Sequence, residues 1–145
     1  MNPVKQLTAN DCGIAVLATL AGGGYMLAYD ALFPTRRAAN DCSSLRTSES
    51  KMRRAFRKLG YKVSKKHGTP DFVGDRGLIS VKLDLDFGSD GHWLAWERNP
   101  ATGVVSIWNP HGDMFEYKPG ALYNRGMRIT WWVSITRSQS HNKGR

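Results

Sequence analysis

From Gly13 to Leu20 the chain reads Gly-Ile-Ala-Val-Leu-Ala-Thr-Leu, apolar on nearly every side if wound as a helix. A helix without a polar face has to be covered all round, so this stretch predicts a helix through the middle of the fold with the other elements packed on it. Asn10 or Asp11 can cap its start, and Gly22-Gly23-Gly24 ends it. No Lys followed by Ser or Thr comes after the triplet, which reads as a helix stop and not as a phosphate loop. Cys12 opens the helix. There the unpaired backbone N–H groups and the positive end of the helix dipole favour thiolate, which predicts a thiol pKa below the ~8.5 of a free cysteine.

Tyr25 to Phe33 reads as a second short helix closed by Pro34. A third runs from Glu49 to Leu59, with Met52, Ala55, Phe56 and Leu59 at helical spacing, Ser48 as cap and Gly60 as stop. The pattern then turns to strands. Leu78 to Asp86 alternates, with Ile79, Val81, Leu83 and Leu85 on one face and Ser80, Lys82, Asp84 and Asp86 on the other. Met127 to Thr136 is a last strand with Ile129, Trp131, Val133 and Ile135 inward. Helices first and an antiparallel sheet after them make an α+β fold, a single domain over 1–137 with a polar tail at 138–145.

His92 opens the strand His92-Trp93-Leu94-Ala95-Trp96, and Asn109 closes Val104-Val105-Ser106-Ile107-Trp108-Asn109. The turn Asn99-Pro100-Ala101-Thr102-Gly103 joins them as a hairpin, which brings His92 and Asn109 side by side. These residues suit a thiol-based reaction. Cys12 can attack a carbonyl, His92 can hold and return the proton, and Asn109 can orient the imidazole. Gln6 can offer its side-chain amide, with a backbone N–H near Cys12, to an oxyanion.

Gln6, the string Asp11-Cys12-Gly13 with small and aliphatic residues after it, the Gly91-His92-Trp93 strand start and the Asn109-Pro110 strand end resemble papain-like cysteine peptidases. The nearest resemblance is to the branch that trims bacteriocin leader peptides inside ABC exporters and to its free-standing relatives. Ser44-Leu45-Arg46 through Leu59-Gly60-Tyr61-Lys62-Val63 is similar to that branch's second helix and the strand after it. The resemblance spans Gln6 to Pro110. It implies a papain-like domain, catalysis by Cys12, His92, Asn109 and Gln6 without a cofactor, and a peptide or protein substrate with small residues near the cut. Leader-processing members carry Asp where this chain has Asn109; Asn is the papain-type choice. A free-standing form of this size suits a small bacterial or phage accessory protein.

The net charge of +9 is unevenly placed: between Phe33 and Gly68 eleven Lys and Arg face two carboxylates, so this block alone carries it. Arg53, Arg54, Arg57 and Lys58 form a basic patch on the third helix. Such a patch can be a solvated face, steer an acidic protein partner or contact nucleic acid. The scarcity of aromatics in the block, Phe56 and Tyr61, favours the acidic protein over nucleic acid. The second reading of function is therefore a weak or inactive papain-like scaffold that binds through this block.

Several plainer readings stand beside these. Cys12 alone could be a small core residue. Cys42 repeats the Asn-Asp-Cys string without a buried helix after it and reads as a bystander. His111 is the rival base, though its turn suggests a solvated loop histidine, and His67 and His141 lie in polar segments. The cysteines and histidines have no zinc-type spacing. Trp93 and Gly91 beside His92, and Trp132 on its strand's other face, are candidates to line a substrate groove. No apolar run is long enough to span a bilayer and no signal peptide is evident, so the expectation is a cytoplasmic protein with free thiols.

Overall fold

The computed structural model describes residues 1–34, 45–83 and 91–138. The all-apolar stretch forms α1 (Cys12–Ala21), with every residue from Gly13 to Leu20 buried. After the glycines come α2 (Tyr25–Leu32) and α3 (Glu49–Lys58). Ser48 caps α3 as its sequence suggests: its hydroxyl accepts the Lys51 N–H at 3.2 Å. Six strands follow, β1 (Tyr61–Val63), β2 (Arg76–Leu83), β3 (Gly91–Arg98), β4 (Val105–Asn109), β5 (Asp113–Glu116) and β6 (Met127–Arg137). They make one sheet in the order β1-β6-β2-β3-β4-β5 with every pair antiparallel. The protein is thus an α+β fold with its helices packed on a large antiparallel sheet.

Both faces of the sheet are covered, which the alternation in the sequence does not reveal. Leu78, Trp93, Ala95, Trp108, Val133 and Ile135 pack with the helices. On the other face, Ile79, Val81, Leu94, Trp96, Ile107 and Trp132 lie under Phe72, Ala121 and Leu122 from the connecting segments. The face of β2 that carries Ile79 and Val81 therefore points away from the helices. Trp132 is 1% exposed, edge-on to Trp96 and stacked on His67, so it lines no groove. Ile129 and Trp131 also part company. Ser80 pairs with Trp131 and Val81 with Ile129, leaving Thr130 as an extra residue. This bulge sends Ile129 to the second core and Trp131 toward the helices.

The short β5 carries only Phe115 inward and is too brief to show a period. The expected continuation of β2 through Asp86 lies outside the described residues, as do Cys42, His141 and all of the polar tail but Ser138. Among the described residues no single helix is long and apolar enough to cross a membrane.

Candidate active site

Cys12 is the first residue of α1, at the end of the sheet where β3 begins. Its position follows from the β-ladder. The Asn99 N–H donates to the Val104 carbonyl, so every second residue back along β3, Glu97, Ala95 and Trp93, turns its main-chain groups toward β4. But β4 ends at Asn109, and Pro110 turns away with its carbonyl accepting the Gln6 N–H at 2.9 Å. The Trp93 N–H, beyond the last β3–β4 pair, is turned toward the Cys12 sulfur and, with the N–H of Gly13, favours its thiolate. The thiol thus occupies the place of a strand acceptor, one residue from His92.

The same register fixes the histidine. Ala95 opposite Trp108 puts Asn109 opposite Leu94, on the face it shares with His92 and one diagonal step away. His92 Nε2 lies 2.9 Å from Asn109 Oδ1. The backbone N–H of His111, which can only donate, reaches that same Oδ1 at 3.1 Å and so identifies the atom as the amide oxygen. The Nε2 of His92 therefore carries the proton, and Nδ1 is the basic nitrogen of the ring. His111 is an exposed turn residue, as expected, and its ring also stacks on His92 with centroids 5.0 Å apart.

Cys12, His92, Trp93, Gly91 and His111 line one cleft of about 160 Å³, with Asn10, Arg46 and Thr47 across from them. Arg46 and Thr47 were not singled out in sequence, where nothing in their own types marks them. The structural signal is Gly13: a Cβ there would lie 2.1 Å from the Thr47 hydroxyl, and that hydroxyl accepts the Trp93 indole N–H at 2.9 Å. Glycine after the cysteine lets the cleft wall close over the helix start.

Asp11 has a different task from the one its position suggests. It stands at the cap position but its carboxylate bonds no N–H of α1. Wholly buried, it accepts from the N–H of Leu7 (2.8 Å), the N–H (2.9 Å) and hydroxyl (3.1 Å) of Thr8 and the Tyr25 hydroxyl (2.6 Å). These bonds hold the loop that carries Gln6. The other end is stitched to β4, where the Trp108 indole donates to the Val4 carbonyl at 3.1 Å. Gln6 Nε2 donates to the Thr8 carbonyl at 2.7 Å, and the amide is not among the groups lining the cleft. Asp11→Ala should lower stability by about 3 kcal/mol, because four donors lose a buried charged acceptor. Asp11→Asn should lower it less and also speed Cys12 alkylation at fixed pH, since the Asp11 charge opposes thiolate formation. Thermal unfolding and alkylation rates separate the two effects.

The helix start does not give the low thiol pKa expected from sequence. Burial pushes Cys12 above its ordinary 9.0, outweighing the N–H donors from Trp93 and Gly13 and the charge of Arg46. Burial likewise pushes His92 below 6.5, against the bond to Asn109 and with the help of His111. Both groups rest neutral at pH 7, as thiol and imidazole.

No protein-family model and no curated protein matches this chain.

The four residues expected to form the basic patch all lie on α3 and differ in their surroundings. Arg53 is committed to Glu49 at 2.9 Å and to the Ser64 carbonyl at 3.0 Å. Arg54 is exposed, whereas Arg57 and Lys58 line a separate groove at the far end of α3. No three His, Cys, Asp or Glu side chains converge among the described residues.

Proposed function

We propose that this protein is a papain-like thiol hydrolase that cleaves an amide or isopeptide bond in a peptide or protein through an acyl-thioester. The observation that carries the reading is the bond between His92 Nε2 and Asn109 Oδ1, which leaves Nδ1 free as a base in the cleft that holds Cys12. Attack forms the Cys12 Sγ–carbon bond while Nδ1 takes the sulfur's proton, then breaks the carbon–nitrogen bond as Nδ1 gives that proton to the departing amine. Water then attacks the thioester carbon while giving a proton to Nδ1, and the carbon–sulfur bond breaks as Nδ1 passes that proton to the sulfur, releasing the acid and restoring the thiol. The Cys12 N–H at the helix start is the oxyanion donor; the Gln6 amide, held on the Thr8 carbonyl outside the cleft, must turn inward to add a second. Burial of both reacting groups supports a neutral resting pair, with charge separated only as the proton moves to Nδ1 during attack. The scaffold reading rests on the separate basic groove and does not need this chemistry.

A peptidyl vinyl sulfone ending in glycine tests the proposal. It should modify Cys12 in the wild type, sparing Cys42, and modify His92→Ala at least about 10²-fold more slowly, since proton transfer is what activates the sulfur. Equal rates in both proteins would mean that His92 does not act on the thiol. The pH profile of labelling has a definite sign. The reactive form is thiol with neutral imidazole, so the acid limb should fall below 6.5 and the alkaline limb above 9.0. His111→Gln should move the acid limb up, because the charge of protonated His111 opposes that of His92.

A further inference from the structure

A second concavity among the described residues is larger than the cleft. A groove of about 950 Å³ runs between the end of α3, β1 and the end of β6, and its charged lining is all positive: Arg57, Lys58, Lys62 and Arg137. The register places it far from Cys12. His92 and Ile129 both pair with Val81, whereas Arg137 lies at the other end of β6 opposite Tyr61, roughly 25 Å along the strand at ~3.3 Å per residue.

The groove follows a sheet edge: among the described residues β1 is an end strand, with β6 on its one paired side. The Ser138 N–H donates to the Gly60 carbonyl and the Ser64 N–H to the Ser134 carbonyl, so Gly60, Lys62 and Ser64 direct their main-chain groups at β6. Tyr61 and Val63 must then point their N–H and C=O outward, into the groove. An edge with free main-chain donors and acceptors is a template for another strand. The four cations select its charge. Tyr61 is buried beneath Arg137, whose guanidinium lies 4.8 Å from the ring centre, so it offers no face for a nucleobase.

We infer that this groove binds an acidic, extended peptide segment, added antiparallel or parallel as a further strand on β1, with its carboxylates paired to Arg57, Lys58, Lys62 and Arg137. The inference is independent of the chemistry at Cys12.

A fluorescent peptide of alternating Glu and Thr, titrated with the full chain at low salt and followed by anisotropy, tests it. In a strand the amides of alternate residues point to opposite sides. N-methylation of one residue type should therefore weaken binding by about tenfold or more, and methylation of the other should change it by less than about twofold. Arg57→Glu with Lys62→Glu, both exposed, should abolish binding while the unfolding midpoint stays near the wild type. Cys12→Ala should bind as the wild type does, even if the thiol proves inert. Equal effects of the two methylated peptides would show charge attraction without strand addition and overturn the inference. So would absence of binding, or a single-stranded oligonucleotide of equal charge binding more tightly than the peptide.

Discussion

Replacing Cys12 by alanine should reduce turnover of any peptide that the wild type cleaves by on the order of 10⁴-fold or more, with the unfolding midpoint little changed. The loss is large because Cys12 is the one thiol among the described residues of the cleft, and the Thr47 and Ser80 hydroxyls there are engaged by the Trp93 indole and the Thr130 hydroxyl. His92→Ala should cost nearly as much, and the double variant no more than the worse single one, since the two act as a unit. Gln6→Ala should cost about 10²-fold if its amide serves the oxyanion. Asn109→Asp should keep or raise activity and move the acid limb up, because a carboxylate at 2.9 Å stabilises the imidazolium more than an amide does. Quenched fluorescent peptides with small residues at the cut, screened against wild type and Cys12→Ala in parallel, provide the measurement. Turnover that survives in Cys12→Ala would remove the nucleophile assignment, and loss of all activity in a folded Asn109→Asp would remove the orienting role.

The second large effect concerns the fold. Gly77→Ala should destabilise the protein by at least about 3 kcal/mol, or leave it unfolded. A Cβ at Gly77 would stand 1.9 Å from the Val133 carbonyl oxygen, 2.5 Å from the Trp96 indole nitrogen and 2.9 Å from the Ser134 Cα. Two of these atoms are backbone in the adjoining strand β6 and cannot swing aside. The third is held, because the Trp96 indole donates to that same Val133 carbonyl at 3.1 Å. Gly91→Ala is the control: among the described residues nothing lies within 4 Å of its Cβ, and stability should barely move. Chemical denaturation of the three proteins, compared at constant m-value, decides it. Similar midpoints for Gly77→Ala and wild type would mean that β2 and β6 do not meet as described.

Local pattern carried much of this protein. The nearly unbroken apolar run after Cys12 could only be a covered helix, Ser48 and the spacing of Met52, Ala55 and Phe56 defined α3, and the turn at Asn99–Gly103 forced β3 and β4 into a hairpin. That hairpin alone puts His92 and Asn109 on one face, because strand periodicity is a property of the backbone and not of its surroundings. What the sequence could not show is whatever depends on the strands' other neighbours. Which face of β2 meets the helices was settled by Phe72, Ala121 and Leu122 covering the opposite side, and the bulge at Thr130 divided Ile129 from Trp131. Asp11 looks like a cap in one dimension, but its carboxylate is claimed by Leu7, Thr8 and Tyr25. The thiol's ionisation is the sharpest case. A helix start favours thiolate by a local effect of the first turn, yet Cys12 is also shut in by β3 and the 46–47 segment, and desolvation of a charge outweighs the N–H groups that face it. Sequence spacing sets which groups can meet; only the packing around them determines how much water, and hence how much charge, each one keeps.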